Sequence, residues 1–86
     1  MTPTEEKLIA ILTQGLRLNP AMPIEPKTTI FGKNGLGLDS VDVLEIAVLL
    51  DKHFNVVLEE QNEEVHAALH TIGSLAAYID RHRPAA

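Results

Sequence analysis

The sequence predicts an all-α protein, a four-helix bundle with three longer helices and one short one. Three observations predict it. Apolar residues recur at helical spacing, as in Leu8, Ile9, Leu12 and Leu16 near the start and Ile72, Leu75, Ala76 and Ile79 near the end. Residues that start helices stand just before these runs, at Thr2 and Thr71. No segment alternates apolar and polar residues as a half-buried strand would.

Thr2-Pro3-Thr4-Glu5 reads as a capping box with proline at the first helical position. The first helix should fade near Leu18, because Asn19-Pro20 follows. Asn19 to Lys33 holds Pro20, Pro23 and Pro26 and reads as a long loop pinned by Ile24, Ile30 and Phe31. Gly32, Gly35 and Gly37 are expected to keep the backbone flexible up to Asp39.

Asp39 is the expected N-cap of the second helix, with Asp42 three residues on, and the helix should reach about Phe54. At roughly 100° per residue its apolar residues fall into two arcs. Val43, Ile46, Ala47, Leu50 and Phe54 form a broad one suited to a core. Val41, Leu44 and Val48 lie nearly opposite and should be exposed unless a partner covers them. A short third helix over Asn62 to Leu69 would turn Val65 and Leu69 inward. In the last helix, Arg81, His82 and Arg83 suit the negative end of the dipole, and Pro84 stops it.

Composition narrows the function. The 86 residues fit one small domain, residues 1–86. At 45% hydrophobic the chain can fold. Its only aromatics are Phe31, Phe54 and Tyr78, so Leu, Ile, Val and Ala must build the core. The net charge of −5 opposes binding to phosphate backbones and favours basic protein surfaces as partners, so no nucleic acid is expected. The absence of Cys excludes disulfides and thiolate catalysis by the chain itself. No secretory signal is visible, and no apolar run is long enough to span a membrane. A cytoplasmic monomer is the expectation.

Ser40 follows the expected cap, at the positive end of a helix. A side chain there reaches solvent, and a phosphate on it would be favoured by the free amides, although Asp39 and Asp42 oppose this in part. Taken alone, a serine at a helix start is an ordinary structural residue.

Its surroundings say more. Gly37-Leu38-Asp39-Ser40-Val41 leads into a helix whose second apolar stripe begins beside the serine. The sequence here resembles the acyl carrier protein family, whose mark is Gly-x-Asp-Ser-Leu at the start of the second helix. The resemblance is strongest from Thr29 to Phe54, with a weaker echo in Thr71-Ile72, Leu75, Tyr78 and Ile79.

The resemblance implies an acyl-carrier-like bundle. It implies that a phosphopantetheinyl transferase attaches 4'-phosphopantetheine from coenzyme A to Ser40, with Asp39 and Val41 completing the motif. The arm's thiol would hold acyl groups for acyl-loading, ketosynthase and other synthase enzymes of fatty acid or polyketide-type synthesis. The chain would be a carrier with no catalytic residues of its own. The partner face would map onto Val41, Leu44, Glu45, Val48 and Asp51, and the acyl-sheltering core onto Ile46, Leu50 and Phe54. Val41 stands where Leu is usual, Leu38 where Ala is common, and Lys52 and His53 where many fatty-acid carriers are acidic. The stretch from Phe54 to Thr71 is longer than usual. Phe31-Gly32, Gly35 to Ser40 and Asn62-Glu63-Glu64 resemble carriers of specialised clusters, such as those making aryl polyenes.

Two further readings use the same residues. An aminoacyl or peptidyl carrier would share the serine chemistry, and an unmodified interaction module would use only the stripe of Val41, Leu44 and Val48. Other signals are weak. Gly35-x-Gly37 lacks the strand before it and the Gly-Lys-Ser of a nucleotide loop. His66 and His70 have helical spacing, but no third ligand is specified, so no metal site is expected. Ser40, His53 and Asp51 lack the strand–turn–helix elbow of a hydrolase.

Overall fold

The capping box opens the first helix as its sequence requires. In the computed structural model, which describes residues 2–19, 21, 23–32, 35–59 and 62–83, α1 spans Pro3–Gly15. The Thr2 hydroxyl accepts the Glu5 N–H at 3.1 Å, and the Thr2 N–H donates to the Glu5 carboxylate at 2.8 Å. Leu8, Ile11 and Leu12 are buried on one face. The helix stops short of Leu18. Arg17 turns left-handed, at φ 55°, and the Leu18 N–H folds back to the Thr13 carbonyl at 2.9 Å. Pro20, Lys33 and Pro84 lie outside the described residues.

The long loop is stitched to the start of the last helix, α4 (Ile72–His82). Thr28 and Pro26 carbonyls accept the N–H groups of Ile72 and Gly73, at 3.1 and 2.7 Å. The Ile30 N–H donates to the His70 carbonyl at 3.1 Å. Helix-start amides without a helical partner are thus satisfied by the loop. Ile30 is fully buried, and Ile24 and Phe31 pack against the core, as expected of pins. Leu36 adds a buried side chain that no local sequence pattern assigns to the core.

Two of the glycines before Asp39 occupy places that a side chain would resist. Gly37 is left-handed at φ 75°. A Cβ at Gly35 would run into the carbonyl oxygen of Thr29, which also accepts the Leu36 N–H at 3.0 Å.

Regular helix in α2 covers Asp42–Phe54, so it begins later than Asp39. It ends at Asn55, left-handed at φ 57°, whose N–H returns to the Asp51 carbonyl at 3.1 Å. Ile46, Leu50 and Phe54 are buried, and Val43 and Ala47 half-buried, so the broad arc does face the core. The short α3 spans Glu63–Ala68, capped by Asn62, whose side chain accepts the Glu64 N–H at 2.8 Å. Val65, Ala68 and Leu69 turn inward. Thr71 and Ser74 form the capping box of α4, which buries Ile72, Leu75, Ala76, Tyr78 and Ile79.

Among the described residues the architecture is the expected all-α bundle of three longer helices and one short one. Its closest helix pairings are α1 with α4, α3 with α4, and α1 with α2. Each fully buried Leu or Ile contributes about 1.5–3 kcal/mol. Polar ties add register. The Thr4 hydroxyl donates to Asp80 Oδ1 at 2.6 Å, joining the start of α1 to the end of α4. Arg81 Nη2 donates to Glu64 at 3.3 Å, and His82 Nε2 lies 3.0 Å from the same carboxylate, tying α3 to α4. Among the described residues, extended pairing is limited to isolated bridges, Thr29 with Thr71 and Phe31 with Leu38. No described helix is long and apolar enough to cross a membrane.

Candidate functional site

Ser40 sits in a tight turn that precedes α2, and two aspartates hold that turn. The Asp39 carboxylate accepts the Val41 N–H at 3.0 Å, while the Asp39 N–H donates to Asp42 Oδ2 at 2.9 Å. This is the reciprocal logic of a capping box. The main chain inside it bonds three residues back. The N–H of Asp42 reaches the Asp39 carbonyl at 3.0 Å, and that of Val43 reaches the Ser40 carbonyl at 3.4 Å. Three-residue bonding is the tighter helical form common at helix starts. The N-cap of α2 is therefore Val41, with no side-chain cap bond, and Asp39, the expected cap, holds the tight turn before the helix instead.

Gly37 and Leu38 deliver the chain to this turn. The left-handed Gly37 donates its N–H to the Gly32 carbonyl at 3.0 Å, and the Leu38 carbonyl accepts the Gly32 N–H at 3.3 Å. Ser40 and Asp39 are exposed, and Asp42 is half-buried. Ser74 is placed differently. Its hydroxyl is half-buried and donates to the Ala68 carbonyl at 2.6 Å within the α4 cap.

Beside Ser40 lies a cavity of about 480 Å³. Its apolar walls are Phe31 from the loop, Val43 from α2, and Val65 and Leu69 from α3 and its end. Asp39, Ser40 and His66 supply its polar lining. The cavity lies on the side where α2 and α3 approach, a pair that is not among the closest helix pairings. Ile46, Leu50 and Phe54 lie in the core as expected, with 0%, 0% and 3% exposure, and are not among the residues that line this cavity. Val43, half-buried on the core arc, is the α2 residue on the cavity. The part played by Phe31, Val65 and His66 is not legible in the sequence, because they meet Ser40 only through tertiary folding.

The outward stripe is where the helical wheel puts it. Val41 is 72% exposed and Leu44 and Val48 are each 62% exposed. Glu45 and Asp51 are exposed on the same helix, as are Lys52 and His53. Val57, 65% exposed beyond the end of α2, is a further exposed apolar residue, which the periodicity of α2 does not reach. His70 lies past the end of α3, so His66 and His70 do not share a helix. Among the described residues no three of His, Asp and Glu converge as metal ligands.

Among the described residues, Tyr78 departs from ordinary acidity. Burial raises its phenol above the usual value, and the negative charges of Glu64 and Glu59 raise it further, against a lowering by Arg81. It stacks on His82 at 4.2 Å between ring centres, away from the Ser40 turn in sequence and on the α3–α4 tie.

The site can present a hydroxyl to another enzyme and offers an apolar recess next to it. These features suit a covalent arm anchored in the turn, with room beside it for apolar cargo. Comparison with known proteins identifies the family. Residues 6–79 match the family described as "Phosphopantetheine attachment site". An acyl carrier protein of Zymomonas mobilis is 25% identical over 83 residues, covering 96% of this chain and 99% of the relative. An acyl carrier protein of Azobacteroides pseudotrichonymphae is 29% identical over 82 residues, covering 95% of this chain and 91% of the relative. The chain belongs to the phosphopantetheine attachment site family of carrier proteins, whose prosthetic group is covalently bound 4'-phosphopantetheine.

Proposed function

We propose that residues 1–86 form a single acyl carrier domain and that Ser40 is the residue to which 4'-phosphopantetheine is esterified. The observation that carries this reading is the exposed Ser40 hydroxyl, in a turn fixed by Asp39 and Asp42, beside an apolar cavity. When bound, the arm supplies a thiol that holds acyl groups as thioesters. The chain's own residues do the rest. Asp39 and Asp42 hold the turn so that Ser40 stays presented, and Phe31, Val43, Val65 and Leu69 offer a water-poor surface to apolar cargo.

The chain acts as carrier and as substrate of a phosphopantetheinyl transferase, and it delivers to fatty acid or polyketide-type synthesis enzymes. The relatives named acyl carrier protein support acyl cargo. The loop sequence Phe31-Gly32 and Gly35 to Ser40 supports a carrier of specialised synthesis, such as that of aryl polyenes. Val41, Leu44, Glu45, Val48 and Asp51 form the face on which these enzymes dock.

Incubation with coenzyme A and a broad-specificity transferase, read by intact mass, tests the reading. The expected result is one phosphopantetheine per wild-type chain and none on Ser40→Ala. Full labelling of the alanine variant would place the arm elsewhere. No labelling of folded wild type would favour the interaction-module reading.

A further inference from the structure

The short helix α3 is fastened at its two ends by contacts of different kinds. Its C-terminal end is tied into the bundle by bonds that are short or partly buried. The Ser74 hydroxyl donates to the Ala68 carbonyl at 2.6 Å, and the Ile30 N–H donates to the His70 carbonyl at 3.1 Å just beyond the helix. Ala68 and Leu69 are buried there. At the N-terminal end, among the described residues, the polar contact to α4 is one carboxylate. Glu64 accepts from Arg81 Nη2 at 3.3 Å and lies 3.0 Å from His82 Nε2, and all three side chains are exposed to solvent. The His82 ring stacks in turn on Tyr78, at 4.2 Å between centres.

This difference bears on the cavity beside Ser40, because Val65 and Leu69 form its wall on the α3 side. The cavity lies toward α2, a helix with which α3 is not closely paired. A helix of six residues is about 9 Å long. With its Ala68 end fixed, release of Glu64 lets the Val65 end swing outward, and the cavity opens there. Burial of Val65 and the Glu64 contact together hold this end in place.

Arg81 keeps its charge at any ordinary pH, so the contact does not hang on the protonation of His82. Exposed ion pairs are individually weak and are screened by salt. A contact of that strength biases the position of α3 without fixing it.

We propose that Glu64, Arg81 and His82 form a salt-sensitive latch that holds the N-terminal end of α3 on α4 and sets how often the α3 wall of the cavity opens, with the Ala68–Ser74 end as its hinge. The latch belongs to the chain's own residues and does not depend on Ser40 being modified.

Amide hydrogen exchange on the full unmodified chain at low salt tests this. The amides of Ala67 and Ala68 report on α3, and those of Ile30 and Leu75 on the hinge end and the start of α4. The double variant Arg81→Gln, His82→Gln leaves α3 itself unaltered. It should speed exchange at Ala67 and Ala68 about two- to fivefold, the range of an exposed ion pair. Ile30 and Leu75 should keep their wild-type rates. Adding Glu64→Gln should bring little more, because the three side chains make one contact. Raising salt to about 0.5 M should speed wild type toward the double variant and leave the variant unchanged. A second measurement reads the wall directly. The chain has no cysteine, so Val65→Cys places a single thiol on the cavity wall. A small thiol reagent should label it about two- to fivefold faster when Arg81 and His82 are replaced, and Leu69→Cys, at the hinge end, should not respond. Unchanged exchange of α3 in the double variant, or full additivity with Glu64→Gln, overturns the proposal. Equal acceleration at Ile30 and Leu75 overturns it too, since the contact would then support the whole fold. Exchange needs no introduced thiol, so it decides even if Val65→Cys unfolds α3.

Discussion

The carboxylate of Asp42 accepts the backbone N–H of Asp39 at 2.9 Å, closing a turn around Ser40. The same carboxylate sits in the first turn of α2, where negative charge is favoured by the helix dipole. Two effects therefore act through one side chain, an acceptor for an orphan amide and a charge at a positive end. Asp42→Ala should destabilise the fold by about 1 kcal/mol, the usual cost of losing a cap. Asp42→Asn keeps an acceptor and should lose roughly half of that. Urea melts of the apo protein check this. Equal losses in the two variants would assign the effect to charge alone.

Leu50 and Val48 are two residues apart and meet opposite environments. Leu50 is fully buried, and Val48 is 62% exposed. Leu50→Ala leaves a cavity and should cost about 2–5 kcal/mol. Val48→Ala should stay within about 0.5 kcal/mol. A comparable loss at Val48, measured by denaturant midpoint, would mean that the outward stripe is packed in solution.

Much of this contrast is legible in the sequence. The two arcs of α2 follow from spacing alone, as do the caps at Thr2 and Thr71, because capping is local chemistry between neighbours. The Asp39-Ser40 turn reads in sequence as a cap and not as the tight turn it is, since choosing between two helical bonding patterns depends on how the loop arrives. The constraint on Gly35 is hidden for the same reason. Gly35 looks permissive in sequence, yet its place is set by the Thr29 carbonyl pressed against it. The cavity is the least legible feature. Its walls come from the loop, α2 and α3, and no local pattern links Phe31 to Val65.

The end of α1 exposes a strained position. Arg17 is left-handed, at φ 55°, where a side chain costs about 1–2 kcal/mol that glycine does not incur. Glycine loses more chain entropy on folding, which offsets part of the gain. Arg17→Gly should therefore stabilise the protein by roughly 0.5–1 kcal/mol, against the usual direction for a substitution to glycine. Arg17 is exposed, so little packing is lost. A fall in thermal midpoint would show that the Arg17 side chain holds more than its backbone strain costs.

Tyr78 makes stability depend on alkaline pH. Its phenol is raised above 10.0 in the folded chain, first by burial and then by Glu64 and Glu59. The native state thus holds this proton more tightly than the unfolded chain does. The resulting stability is fully present below the unfolded value and is lost as pH rises through the folded one. Between about pH 9 and about pH 11, wild type should lose more stability than Tyr78→Phe, which has no such proton. Urea midpoints at the two pH values measure it. Parallel losses in both proteins would show that the phenol titrates alike folded and unfolded.

The proposed docking face combines an apolar stripe with acidic residues, and its two components should act on different rates. Val41, Leu44 and Val48 form an exposed strip that begins beside Ser40. Glu45 lies within it, and Asp51 follows one turn beyond Val48. A basic patch around a transferase active site would be drawn to this surface from a distance, and small apolar contacts would hold the docked pose. Glu45→Lys should therefore slow association with the transferase by roughly three- to tenfold at low salt and weaken its salt dependence. Leu44→Ala should leave association nearly unchanged and speed dissociation. Neither change should cost more than about 0.5 kcal/mol of stability, because both side chains are exposed. Lys52 on the same helix dilutes the negative field, so Lys52→Glu should accelerate association where Glu45→Lys slows it. Stopped-flow binding at two salt concentrations separates the rates. If the variants bind and are modified like wild type while remaining folded, the transferase approaches Ser40 from another side.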